Sequence, residues 1–211
     1  PIHSSAASDV YKRQPMDQAM QRLSASLESA PIVWKDGYPY FVHPVTDGVP
    51  RLEGEVLSAI VHLIGERVDW DDVDLILGIE AMGLPLTAPL SVQHNRPLVV
   101  ARKRAYGLEG EVVVDQSTGY SKGAMYLNDV RPGERVLIVD DVLSTGGTLR
   151  AVIDGIRRCG AEVAQVVIVV EKGPGMADLH RDEPSLNLSA LIAVDVVCLL
   201  YTSDAADEWI G

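Results

Sequence analysis

The chain has 211 residues, enough for one domain or at most two small ones, and 47% of them are apolar, which argues against wholesale disorder. Acidic residues outnumber basic residues by 30 to 18, and the formal net charge of −12 argues against a protein that binds mainly through nucleic-acid phosphates. No apolar run approaches the roughly 18 residues that a membrane helix needs, and the two cysteines are too few for a disulfide scaffold, so we expect a reduced, cytoplasmic protein with no membrane or nucleic-acid partner.

The two ends of the chain are related to each other at the level of DNA. Residues 4–14 can be back-translated into codons whose reverse complement, read one base in, encodes residues 198–207. Two unrelated protein termini have no reason to encode opposite strands of one DNA segment, and the nucleotide string resembles a transposon-type sequencing adapter. We therefore interpret 1–14 and 198–211 as translated adapter and exclude them from the fold. The remaining residues, 15–197, are predicted to form one domain, with native sequence missing at one or both ends.

Apolar spacing predicts alternating helices and strands along 15–197. Helical spacing marks 16–28, 52–68, 84–92 and 148–159, and apolar runs mark strands at 73–79, 97–101, 136–139, 163–170 and 191–197. Residues 32–42 predict short strands or a hairpin, 44–50 a turn-rich loop, and 102–124 a long polar loop that is typical of a lid. Apolar strands that alternate with helices indicate an α/β fold with a mostly parallel central sheet flanked by helices.

The stretch 136–148 carries the clearest chemical signal. A buried strand delivers Asp140 and Asp141 to the edge of the sheet where ligands bind in open parallel sheets. A short loop and the start of a helix follow, with the residues Ser144, Thr145, Gly146, Gly147 and Thr148. Glycines and a helix start let backbone N–H groups approach an anion, so we expect this loop to bind a phosphate. Two carboxylates beside it suit sugar hydroxyls or a hydrated Mg²⁺. The combination predicts a ribose 5-phosphate site.

A simpler interpretation of the same stretch is a helix cap followed by two solvated aspartates. For an isolated Thr-Gly-Gly this would be preferred, but the apolar strand, two acids and flanking threonines in one run favour a binding site. The Gly-Lys-Ser/Thr ending of a P-loop is absent, and so is the dinucleotide fingerprint.

The stretch 136–148 resembles the phosphoribosyl pyrophosphate signature of type I phosphoribosyltransferases. Residues 78–83 resemble the pyrophosphate loop of the adenine-type enzymes, and 102–104 with 107–110 resemble the start of their lid. Residues 38–50 resemble the hood of archaeal hypoxanthine/guanine phosphoribosyltransferases, a group that 118–121, 125–128 and 171–173 also fit. The resemblance covers essentially 16–197. It implies the type I fold, with a small N-terminal hood and a mobile lid, and it implies a homodimer.

The resemblance also implies a reaction. Such enzymes transfer phosphoribose from phosphoribosyl pyrophosphate to a purine nitrogen and release pyrophosphate, with Mg²⁺ bound together with the phosphoribosyl donor. It places Asp140 and Asp141 at the ribose hydroxyls and the loop 144–148 at the 5-phosphate. The residues expected at the pyrophosphate are Glu80, Ala81, Met82, Gly83, Arg102, Lys103 and Arg104. A solvated strand end is the alternative interpretation of the three cations.

The choice of purine depends on a few positions. Lys172 matches a lysine that donates to the O6 of hypoxanthine or guanine in the 6-oxopurine enzymes, and a lysine would suit adenine's amino group badly. Val142 and Leu143 are expected to form one wall of the base pocket, and Phe41 to be the aromatic residue of the hood, although Lys172 could also be an ordinary exposed lysine and Phe41 a core residue.

The positions that hold the general base in related enzymes are not acidic here. Ser144 stands where many 6-oxopurine enzymes have an aspartate, and Gly119 where adenine enzymes have a lid glutamate. The general base is therefore unassigned.

The leading hypothesis is a purine-salvage enzyme for hypoxanthine and guanine. The alternatives are an adenine phosphoribosyltransferase and a regulator that senses phosphoribosyl pyrophosphate or nucleotides without turnover.

Overall fold

The computed structural model describes residues 16–35, 38–117 and 122–195, so the two predicted adapter tails lie outside the described residues. Its centre is a five-stranded sheet in the order β4-β3-β7-β8-β9, with every neighbouring pair parallel. The strands of this sheet are β3 (Leu75–Ile79), β4 (Leu98–Ala101), β7 (Arg135–Leu143), β8 (Glu162–Glu171) and β9 (Leu188–Ala193). The predicted α/β fold with a parallel sheet is confirmed.

Helices cover both faces of this sheet. They are α1 (Met16–Glu28), α2 (Pro44–Asp47), α3 (Gly54–Arg67), α4 (Gly83–His94), α5 (Gly147–Arg158) and α6 (Gly175–Asp182), with a 3-10 turn at Trp70–Asp72. Strand β7 shows why two layers form, because its side chains alternate between two apolar cores. Val136 and Ile138 join the core beneath α5 and α6, whereas Leu137 and Val139 join the core beneath α1, α3 and α4.

The long loop predicted for 102–124 is largely an antiparallel hairpin. Strands β5 (Val112–Ser117) and β6 (Lys122–Leu127) pair with each other, and residues 118–121 lie outside the described part. Val114, Met125 and Leu127 are buried in the same core as helix α5. The prediction of a polar loop over 102–124 was therefore wrong for the residues of these two strands. The apolar and aromatic residues of this hairpin stand in consecutive runs, 112–114 and 125–127, so the alternation that marks a half-buried strand is missing from the sequence.

The N-terminal hood contains a two-stranded hairpin and a short helix. Strands β1 (Ile32–Lys35) and β2 (Tyr38–Phe41) pair antiparallel, as the sequence predicted. The segment predicted as a turn-rich loop contains the single helical turn α2, which His43 caps and which ends at Gly48 with a φ of 71°. Among the described residues, no helix is both long and apolar enough to cross a bilayer.

Candidate active site

The carboxyl ends of β3 and β7 open into a cleft of ≈ 490 Å³. Parallel strands end at the same edge, so residues that are distant in sequence converge there. The polar and backbone lining consists of Thr46, Asp47, Glu80, Ala81, Met82, Lys103, Asp140, Asp141, Ser144, Thr145, Gly146, Gly147 and Thr148. The apolar lining includes Ile79, Met125, Val142, Leu143, Leu149 and Ile168. Segments predicted separately from sequence therefore share one cavity.

The loop between β7 and α5 is shaped to expose backbone N–H groups. Gly146 has a φ of 79°, in the left-handed region that favours glycine, and Gly147 begins α5 with no acidic residue in its first turn. The loop is braced from below by α6, because the backbone N–H of Gly175 donates to the carbonyl of Ser144 at 2.8 Å. A Cβ atom on Gly175 would lie 2.5 Å from that carbonyl oxygen, so the close approach requires glycine. The helix start and the glycine turn form an anion-binding geometry.

Asp140 and Asp141 lie in the last residues of β7 rather than in the loop after it. Asp141 is only 8% exposed, and burial raises its pKa from 3.8 to about 6. Burial also raises the pKa of Asp140 well above its ordinary value, and the neighbouring charge of Asp141 adds to that increase. A side-chain hydrogen bond joins the two carboxyl groups, so the pair holds a proton more readily than two solvated aspartates would. Such a pair can accept hydrogen bonds from adjacent hydroxyl groups.

The loop after β3 lies against β7. Gly83 begins α4, and a Cβ atom there would be 2.9 Å from the carbonyl oxygen of Val139 and 3.4 Å from Oδ1 of Asp140. The peptide bond between Glu80 and Ala81 is cis. Because glycine lets this loop touch β7, residues 80–82 are brought to the same cleft as the aspartate pair.

The structure brings one member of the basic triplet into the cleft. Lys103 lines the cavity, and its positive charge partly opposes the rise in the pKa of Asp140. Its backbone N–H donates to Glu80 at 2.9 Å, and Nε of Arg102 lies 3.3 Å from the same carboxylate. The guanidinium groups of Arg102 and Arg104 lie 5.9 and 5.7 Å from the ring centre of Tyr106, outside the cleft lining. Glu80 therefore holds Arg102 and Lys103, the first two residues of the triplet.

The residues expected around the purine are only partly brought together. Val142 and Leu143 line the cleft, but Phe41 and Lys172 do not. Phe41 lines a separate pocket of ≈ 360 Å³ together with Leu27 and Ile192, and its ring stacks on His43 at 5.8 Å. This arrangement gives Phe41 a role in building the hood. The backbone N–H of Lys172 donates to the carbonyl of Leu143 at 2.8 Å, which keeps it at the end of β8 beside the base-wall residues.

Thr46 and Asp47 also line the cleft, where the short helix α2 brings them, and neither was predicted from the sequence. The segment 44–50 was predicted as a loop because its prolines and glycine are turn residues. A signal was present in His43-Pro44, since a capping side chain followed by proline at the first helical position is typical of a helix start.

Comparisons with known proteins agree with this geometry. A family model described as a phosphoribosyl transferase domain matches residues 50–188. A hypoxanthine/guanine phosphoribosyltransferase of Aciduliprofundum boonei is 43% identical over 178 residues, which cover 84% of this chain and 96% of the relative. An HGPRTase-like protein of Halobacterium salinarum is 51% identical and is covered to 93%.

The fold also matches solved structures. The crystal structure of adenine phosphoribosyltransferase from Rhodothermus marinus superimposes with a TM-score of 0.68 over 82% of this chain and 99% of that one, at 22% identity. The corresponding Saccharomyces cerevisiae enzyme, complexed with adenine and an imino-altritol bisphosphate, gives a TM-score of 0.69 at 16% identity. At these identities the structures establish the fold alone. Together with the family match and the archaeal relatives, they lead to one conclusion: this chain belongs to the phosphoribosyltransferase family.

Proposed function

We propose that the protein is a purine-salvage enzyme that transfers phosphoribose from phosphoribosyl pyrophosphate to hypoxanthine or guanine, giving the nucleotide and pyrophosphate. The observation that carries the proposal is the single cleft in which a glycine-rich helix start lies beside two buried carboxyl groups. The archaeal relatives named hypoxanthine/guanine phosphoribosyltransferase support the choice of substrate.

In this proposal, each group of cleft residues binds a different part of the substrates. The N–H groups and hydroxyls of 144–148 bind the 5-phosphate, and the carboxyl groups of Asp140 and Asp141 accept hydrogen bonds from the ribose hydroxyls. Residues 80–82 and Lys103, which line the cleft, hold the pyrophosphate, and Lys103 offsets the negative charge that develops on it as it departs. Val142 and Leu143 pack against the purine. The donor to its O6 is Lys172, a role that stays a prediction because its side chain is not in the cleft lining.

A magnesium ion fits this site as a companion of the substrate. Among the described residues there is no cluster of three or more His, Cys, Asp or Glu side chains that could hold a metal by themselves. Carboxylate oxygens of the cleft and phosphate oxygens of the donor are the ligands that Mg²⁺ prefers. When bound, the ion supplies charge neutralisation to the pyrophosphate group. The homodimer implied by the resemblance and the cytoplasmic location expected from the composition stay predictions.

The aspartate pair gives the direct test of this proposal. We expect Asp140→Asn combined with Asp141→Asn to reduce guanine turnover by at least about 100-fold, because amides disturb both the charge and the hydrogen bonding at the ribose. Nucleotide formation would be measured with phosphoribosyl pyrophosphate, Mg²⁺ and guanine, beside the charge-matched control Asp71→Asn, which lies outside the cleft. Turnover in the double variant within a few-fold of the wild type would refute the ribose assignment.

A further inference from the structure

The hood helix α2 brings a third aspartate, Asp47, to the cleft. Oδ2 of its carboxylate accepts two hydrogen bonds. The donors are the backbone N–H of His43 at 3.0 Å and the hydroxyl of Thr46 at 2.6 Å. These two bonds fix the orientation of the carboxylate at the end of a single helical turn. In the described part of the chain, the bonds found for this group leave Oδ1 available to a ligand.

The turn that presents Asp47 is held by a buried histidine. His43 is 1% exposed and its Nδ1 accepts from the backbone N–H of Val45 at 3.2 Å, so its Nε2 carries the proton and donates to Oγ of Ser26 at 2.8 Å. Burial lowers the pKa of His43, which keeps the ring neutral and the tautomer fixed. The ring also stacks on Phe41, so the helix α1 and the strand β2 both hold the turn that presents Asp47.

The other carboxyl groups of the cleft are already engaged. Glu80 accepts from the backbone of Lys103 and pairs with Arg102. Asp140 and Asp141 contact each other, and the proposed function assigns both to the ribose hydroxyls. Asp47 is close enough to this pair for its charge to contribute to the raised pKa of Asp141. Among the cleft-lining residues that the structure describes, Asp47 is thus the carboxylate left to serve the incoming base.

We propose that Asp47 is the general base of the transfer, a role that rests on the proposed function. In this step the C1–oxygen bond of phosphoribosyl pyrophosphate breaks and its electron pair leaves with pyrophosphate. The lone pair of a purine imidazole nitrogen forms the new bond to C1. The N–H proton of that imidazole ring passes to Oδ1 of Asp47, which then releases it to solvent. The charge of the carboxylate also suits the cationic ribose that forms as the old bond breaks.

The test compares Asp47→Asn with the wild type and with Asp71→Asn, an equal change in charge outside the cleft. An asparagine carbonyl can still accept from His43 and Thr46, so the variant keeps the hydrogen bonds that orient the turn. We expect Asp47→Asn to lower kcat for guanine roughly 100-fold, in the range of general-base catalysis, with the Kd for phosphoribosyl pyrophosphate unchanged within about threefold. Asp47→Glu should recover part of the lost rate.

A second substrate separates proton transfer from simple positioning. The triazole N–H of 8-azaguanine is more acidic than the imidazole N–H of guanine, so its transfer depends less on a base. We expect the loss of kcat in Asp47→Asn to be at least fivefold smaller with 8-azaguanine than with guanine. Unchanged guanine turnover in Asp47→Asn, or an equal loss with both bases, would overturn the role of Asp47 while leaving the proposed function intact. Absence of turnover in the wild type would instead contradict the proposed function itself.

Discussion

At the scale of single residues, the site is built at a cost to stability. Asp141 is nearly buried in the last residues of β7, and burial raises its pKa to about 6, while Asp140 beside it is shifted in the same direction. The folded state therefore binds a proton more tightly than the unfolded chain. Stability contributed by these groups is present at low pH and is lost as the pH rises from about 4 through 6.

This linkage predicts that Asp141→Asn raises the free energy of unfolding at neutral pH. A shift from 3.8 to about 6 corresponds to about 3 kcal/mol at most, and coupling to Asp140 reduces it, so we expect a gain of about 1–3 kcal/mol at pH 7.5. The melting temperature should rise by several degrees at pH 7.5, and the difference should shrink toward pH 4.5. Thermal unfolding of the ligand-free wild type and variant at pH 7.5 and pH 4.5 measures this difference in melting temperature. A variant that melts below the wild type at both would show that the buried carboxyl is stabilising.

At the scale of elements, the shape of the loop 144–148 depends on the contact between the start of α5 and the start of α6. Gly146 makes the turn into α5, and Gly175 allows the start of α6 to touch the carbonyl of Ser144. The sequence predicted the strand, the loop and α5 from their apolar spacing and glycines. It did not predict α6, because an eight-residue helix that follows Gly173 and Pro174 shows too short an apolar period.

Gly175 lies outside the cleft lining, but we expect Gly175→Ala to weaken the binding of phosphoribosyl pyrophosphate. The added Cβ would lie 2.5 Å from a backbone oxygen, so the loop must shift, at a cost of about 1–3 kcal/mol in stability. We expect the affinity for phosphoribosyl pyrophosphate to fall at least tenfold, measured by calorimetric titration. Gly54→Ala is the matched control, since a Cβ there meets nothing within 4 Å. Equal affinity in both variants would contradict the bracing role of α6.

At the scale of the whole molecule, the sequence predicts the layered fold well and the cleft only in part. The runs 136–139 and 163–170 are apolar on both sides, which specifies buried parallel strands between helices. The position of Asp140, Asp141 and the loop 144–148 in one cleft was predictable because one continuous segment carries them, and their binding roles stay predictions. Asp47 was not, because only the tertiary position of the hood brings it across the cleft. A local sequence pattern predicts a single helix or strand, whereas contacts between distant segments can be seen only in the folded structure.

Substrate choice can be measured directly as nucleotide formation by residues 15–197 with phosphoribosyl pyrophosphate, Mg²⁺ and one base at a time. Hypoxanthine, guanine, adenine, xanthine and orotate would each be offered, and kcat/KM compared. We predict that hypoxanthine or guanine exceeds adenine by at least about tenfold, because a lysine donor pairs with a carbonyl and not with an amino group. Turnover of adenine alone would contradict the assignment of hypoxanthine and guanine as substrates. Tight binding of phosphoribosyl pyrophosphate without turnover of any base would contradict the proposed enzymatic activity.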